Sequence, residues 1–201
     1  MRIGYFGGTF DPPHRAHLRV AQAAADAYNL DRILLAPTGH QPLKSHDAFA
    51  SYEDRLAMTR LLCADDPRLE VSELDAPHAD GSPNFTVEAL QTLQKEQPNA
   101  ELFVIAGADS FLTLRSWRDS EQLLQMADWI VAARPETSLD DLSVLALSQD
   151  ERKRVHLLTS IDEDISSTGI RERLRVGVAC DKLLTPTVNL YIARMHLYHA
   201  R

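Results

Sequence analysis

Ile3-Gly4-Tyr5-Phe6-Gly7-Gly8-Thr9-Phe10-Asp11-Pro12-Pro13-His14-Arg15-Ala16-His17 is the stretch on which the fold turns. Its first four residues make a short apolar run with the character of a buried strand, and Gly7-Gly8 breaks it. From His17 to Tyr28, the residues Leu18, Val20, Ala21, Ala24 and Ala25 recur at helical spacing. Strand, glycine turn and helix therefore follow one another.

The same order repeats outward. Arg32 to Ala36 reads as a second strand, followed by a polar loop from Pro37 to about Ser51 and a helix from about Tyr52 to Ala64. Leu69 to Leu74 alternates like a third strand, and Phe85 to Lys95 is helical by the spacing of Val87, Leu90 and Leu93. Leu102 to Ala106 is the strongest strand pattern, and it ends on Gly107. A helix from about Ser120 to Met126 precedes a strand at Trp129 to Ala133. Glu136 to about Glu151 shows no register and is expected to be a surface insertion. Val155 to Thr159, Thr168 to Arg175 and Thr187 to Leu197 complete the chain as strand, helix and helix. Short connections between alternating strands and helices force right-handed crossovers. The expected fold is thus α/β, a Rossmann-like doubly wound, mostly parallel sheet with helices on both faces and a small C-terminal helical part. No repeat or linker divides the chain, so residues 1–201 are expected to form a single domain with a C-terminal subregion from about 160.

Composition narrows the function. With 201 residues, 44% hydrophobic and 25% charged, the chain has the proportions of a globular protein and not of a disordered tail. No apolar run approaches the roughly 18 residues needed to span a bilayer, and the first five residues lack the build of a secretion signal. No membrane association and a cytoplasmic location are expected. Lys plus Arg number 21 against 29 Asp plus Glu, a net charge of −8, the wrong sign for gripping nucleic acid by a general field. Any phosphate site must be local. Cys63 and Cys180 lie far apart in unlike contexts and are expected to be buried small hydrophobes.

In an open α/β sheet, ligands bind beyond the carboxyl ends of the strands. The residues there are Gly7 to His17, Pro37 to Lys44, Gly107-Ala108-Asp109-Ser110, Arg134, and Ile165-Ser166-Ser167-Thr168-Gly169-Ile170-Arg171. Glycines that admit close backbone approach, hydroxyls, two imidazoles and cations make a phosphate-binding inventory. The glycine turn matches neither G-x-G-x-x-G nor the P-loop pattern. His14 and His17, three apart at a helix start, are able to donate to one anion. Taken alone, the same pair serves equally as a cap or a surface pair, and no third residue has the spacing for a metal site.

Gly7-Gly8-Thr9-Phe10-Asp11-Pro12-Pro13-His14-x-x-His17, together with Ile165-Ser166-Ser167-Thr168-x-Ile170-Arg171, resembles the paired signatures of the HxGH-motif nucleotidyltransferase superfamily. Within it the chain is most similar to the bacterial nicotinate mononucleotide adenylyltransferases. Gly107-Ala108-Asp109-Ser110, Trp117 and Arg134-Pro135 fall in the same order, so the likeness covers nearly the whole chain. The resemblance implies adenylyl transfer from ATP to the phosphate of nicotinate mononucleotide. In-line attack by an acceptor already anionic needs no covalent nucleophile, and Mg2+ would accompany ATP.

By the same resemblance, His14 and His17 would contact the triphosphate, with His17 at the α-phosphate. Gly8, Thr9 and Phe10 would line the phosphates, and Lys44 would reach them from its loop. Ser167, Thr168 and Arg171 would meet the β- and γ-phosphates. Gly107, Asp109 and Ser110 would line adenosine and ribose. Trp117 would stack on the pyridine ring beside Phe85 and Thr86, and Arg134 would face either substrate. Two residues depart from the pattern. Ala16 stands where glycine is usual, and Arg118 where an aromatic often follows the tryptophan, so that a guanidinium there could stack or meet a carboxylate. Related acceptors, such as nicotinamide mononucleotide or phosphopantetheine, and a catalytically silent nucleotide sensor are the alternatives. A homo-oligomer is compatible with the sequence.

Overall fold

The computed structural model of the chain describes residues 1–42, 48–133, 139–159 and 165–199. Six strands, β1 (Arg2–Gly8), β2 (Arg32–Pro37), β3 (Leu69–Val71), β4 (Glu101–Gly107), β5 (Asp128–Ala132) and β6 (Val155–Leu158), form one sheet in the order β3-β2-β1-β4-β5-β6. Every pairing in it is parallel. The helices are α1 (Arg15–Tyr28), α2 (Tyr52–Cys63), α3 (Thr86–Glu96), α4 (Ala108–Phe111), α5 (Ser120–Met126), α6 (Gln149–Lys153), α7 (Ser167–Arg175) and α8 (Pro186–Arg194). No described helix is long and apolar enough to cross a membrane.

The strands face outward on neither side, which their near-continuous apolar runs require. Ile33, Leu35, Phe103, Ile105 and Ile130 pack with residues of α1, α2, α7 and α8. Their neighbours in sequence, Leu34, Leu102, Val104, Trp129 and Val131, pack against α3, α5 and Phe111 on the opposite face. α1 ends where Asn29 adopts φ 49°, its N–H closing on the Ala25 carbonyl, a left-handed cap that asparagine tolerates. Cys63 and Cys180 are buried free thiols, as expected from their contexts.

Two expectations require correction. β3 stops at Val71, short of Leu74, because a turn closed by the Ala76 N–H on the Glu73 carbonyl (2.9 Å) carries Asp75 inward. The segment expected to be a surface insertion instead contains a 3₁₀ helix, Leu139–Leu145, that sends Leu142 and Leu145 into the core beneath β5. Its apolar residues are spaced three apart, the period of a 3₁₀ turn, so neither helical nor strand periodicity reveals them.

Candidate active site

The strand order reverses between β1 and β4, so the connections leave their carboxyl ends toward opposite faces, the place where an open α/β sheet takes its ligands. β1 delivers its glycines to that point. A Cβ on Gly7 would lie 2.8 Å from the Tyr5 hydroxyl. That hydroxyl is held 2.7 Å from the buried Asp75 carboxylate, so the ring has no room to yield. Phe10 then takes φ 48°, strained for a side-chain-bearing residue. Its ring is buried and meets Phe6 and His17 edge-on at 5.5 and 4.9 Å. That packing offsets the strain and leaves Phe10 only its backbone to offer a ligand.

The two histidines open α1. The His14 N–H donates to His17 Nδ1 at 3.2 Å, and the rings stack with centroids 3.7 Å apart. A neutral His17 that accepts at Nδ1 carries its proton on Nε2, which makes Nε2 the donor. Burial lowers the pKa of His14 to about 4. Burial, and then the nearby charge of His14, hold His17 well below the ordinary imidazole range. Both rings are therefore neutral near pH 7. His14 Nδ1 is buried without a hydrogen-bond partner among the described residues.

Chain distant by more than 150 residues closes on this loop. Ser166 caps α7, its hydroxyl accepting from Gly169 N–H at 3.1 Å. Ser167 Oγ donates to the Pro12 carbonyl at 2.9 Å, and Arg171 Nη1 donates to the Asp11 carbonyl at 2.7 Å. Arg171 Nη2 also reaches Thr168 Oγ1 at 3.1 Å. The C-terminal segment takes one amide at the start of α1 as well, since Arg15 N–H donates to the Leu183 carbonyl at 2.9 Å. Gly8, Thr9, Phe10, His14, His17, Ser167, Thr168 and Arg171 thus come together.

Gly107, Asp109 and Ser110 are exposed at the end of β4, with open space where a Gly107 Cβ would project. Phe85 caps α3 and Thr86 is its first residue. Trp117 is half-buried, its ring 6.0 Å from Trp129 and its N–H donating to Thr113 Oγ1 at 3.1 Å. Arg118 places its guanidinium carbon 4.6 Å from the centre of the Phe85 ring. Its charge is met by Glu88 at 3.2 Å and Asp119 at 3.8 Å. Lys44 and Arg134 lie outside the described residues.

Sequence reasoning missed the residues that hold the loops. Arg55 is almost fully buried, and its Nη1 donates to the carbonyls of both Thr9 and Thr38 at 2.8 Å. It lies on one stripe with Met58, Thr59 and Leu62, the buried face of α2, and an arginine at core spacing was the available signal. Asp11 accepts three hydrogen bonds, from Phe49 N–H, Ala50 N–H and Tyr198 Oη, at 2.7, 3.2 and 2.7 Å. No local pattern announces bonds of that range. Asp75 joins Tyr5 and Thr38, the latter at 3.2 Å, and burial raises its pKa.

Residues 5–173 match the family model described as cytidylyltransferase-like. The chain is 37% identical, over 100% of both chains, to a probable nicotinate-nucleotide adenylyltransferase of Herpetosiphon aurantiacus. It is 38% identical to a protein of the same name from Leifsonia xyli subsp. xyli, with 99% of this chain and 94% of that one covered. The nicotinic acid mononucleotide adenylyltransferase of Plasmodium falciparum complexed with NaAD shares the fold. It has a TM-score of 0.78 at 20% identity and covers 98% of this chain and 97% of that one.

Proposed function

The chain belongs to the cytidylyltransferase-like family and, by full-length relatives at 37% and 38% identity, to its nicotinate-nucleotide adenylyltransferases, and from that premise we propose how its residues work. The reaction moves the adenylyl group of ATP onto the phosphate of nicotinate mononucleotide. It yields nicotinate adenine dinucleotide and pyrophosphate, a step of NAD synthesis.

One domain, residues 1–201, carries the reaction at the carboxyl ends of β1 and β4. The observation that supports this assignment is the docking of α7 on the histidine loop through Arg171 and Asp11. It gathers a permanent cation and two imidazoles beside a glycine turn. The acceptor phosphate attacks the α-phosphorus without prior deprotonation, so the protein's work is alignment and charge neutralisation. His17 donates from Nε2 to an α-phosphate oxygen as charge grows there. His14 follows, and Arg171 with Ser167 and Thr168 holds the leaving β- and γ-phosphates. Approach of that polyanion raises the imidazole pKa values, so the pair becomes more cationic when ATP arrives. Asp109 and Ser110 take the sugar, and Trp117, Phe85 and Thr86 take the pyridine ring. Lys44 and Arg134 are the remaining cations assigned to the substrates.

Mg2+ is expected with ATP. Among the described residues no three His, Cys, Asp or Glu side chains form a metal cage, and the Asp11 carboxylate is already engaged. Mg2+ would enter with ATP and would supply charge neutralisation on its phosphates.

Initial rates of pyrophosphate release from ATP, with nicotinate mononucleotide and with its amide, test the assignment. The acid is expected to be the better acceptor. Clear preference for the amide, or ATP binding with no release, would overturn it.

A further inference from the structure

The Asp11 carboxylate is a buried junction of three chain segments. Tyr198 Oη and Ala50 N–H donate to Oδ1 at 2.7 and 3.2 Å, and Phe49 N–H donates to Oδ2 at 2.7 Å. The carbonyl of the same residue receives Arg171 Nη1 at 2.7 Å. Phe49 closes the circuit: its ring, 67% exposed, lies 4.4 Å from the Arg171 guanidinium carbon. Arg171 is therefore fixed along its edge by Asp11 and Thr168 and across its face by Phe49, with three of its five N–H donors left over from these bonds.

The turn that brings Tyr198 to this point is built for one position. His196 and Tyr198 both take left-handed φ values, 52° and 64°, which non-glycine residues hold only when their surroundings enforce them. Met195 N–H on the Tyr191 carbonyl (2.9 Å) and Leu197 N–H on the Ile192 carbonyl (3.1 Å) tie the turn to α8.

We propose that this carboxyl-terminal turn sets the position of the Arg171 guanidinium, with Tyr198 acting through the Asp11 carboxylate and the Phe49 ring. Tyr198 is a positioning residue. It keeps Asp11 in the rotamer that holds the Phe49–Ala50 turn, and that turn supplies the aromatic face on which Arg171 rests. Among the described residues Arg55 and Arg171 are the cations that face Asp11 and Tyr198, and burial and the Asp11 charge raise the Tyr198 pKa, so the hydroxyl stays a donor across the working pH range. The inference rests on the reading that Arg171 meets the triphosphate of ATP.

The test is the affinity for a non-hydrolysable ATP analogue, measured by calorimetry on the full chain and compared with pyrophosphate release. Tyr198→Phe is expected to raise the analogue's Kd about tenfold and to leave the KM for nicotinate mononucleotide unchanged, because only a charge-assisted contact to ATP is displaced. Phe49→Ala should produce the same rise, and the double variant should be no worse than either single one, the mark of residues acting in one chain. An unchanged Kd in folded Tyr198→Phe overturns the inference, as does a lowered Tm with unchanged Kd, which would assign Tyr198 a structural role only. Should Tyr198→Phe not fold, Phe49→Ala decides, and an unchanged Kd there is equally fatal. A wild-type protein that binds the analogue but releases no pyrophosphate overturns the reaction reading, while the affinity comparison still decides this one.

Discussion

Two stacked imidazoles 3.7 Å apart cannot both carry charge cheaply in a buried site, and that fact sets the behaviour of the unliganded protein. His14 titrates near pH 4 when folded and near 6.5 when unfolded, so between those values the unfolded chain binds the extra proton. Stability is full above pH 6.5 and falls on acidification, by up to about 3 kcal/mol from His14 alone at pH 4. Urea midpoints measured from pH 7 to 4 should show this slope, and His14→Asn should flatten it. An unchanged slope contradicts burial of the neutral ring. His17→Ala is expected to lower turnover by at least about a hundredfold while the fold survives, the scale for losing one transition-state donor. Normal turnover would remove His17 from its role. The spacing of three was legible as a pair sharing one side of a helix start. That His17 accepts at the start of α1 through Nδ1 and so carries its proton on Nε2 was not, since the tautomer follows from a hydrogen bond that only the fold creates.

Among the elements, the strands and the glycine turns were readable because buried parallel strands are unbroken apolar runs and each ends on a breaker. What escaped are contacts between elements. Arg55 carries the ends of β1 and β2 on one guanidinium nitrogen, so Arg55→Met should strand the buried Thr38 carbonyl and the part-buried Thr9 carbonyl and cost about 2–4 kcal/mol by chemical denaturation. A loss under about 0.5 kcal/mol would contradict the clamp. The 3₁₀ helix Leu139–Leu145 makes a similar point. Leu142→Ala should cost about 2–4 kcal/mol because it opens a cavity under the sheet, whereas a true surface insertion would lose almost nothing.

At the scale of the molecule, the order β3-β2-β1-β4-β5-β6 puts the switch point between β1 and β4, and the last part of the chain returns to the loop after β1. β1 and its loop arrive first, α7 and the turn at Tyr198 last, and the Asp11–Pro12 backbone receives both Ser167 and Arg171. The sequence showed the two signatures at either end and the strands that precede them, enough to place both at carboxyl ends of one sheet. It could not show that they touch, because that depends on how α7 crosses the sheet and on hydrogen bonds to backbone carbonyls, which no side-chain pattern encodes. The most direct measurement of the central claim is a crystal structure with a non-hydrolysable ATP analogue. One triphosphate should lie between His17 Nε2 and Arg171, with oxygens in hydrogen-bond reach of each. A triphosphate seated away from the carboxyl ends of β1 and β4, or touching only one of those two side chains, would contradict the account.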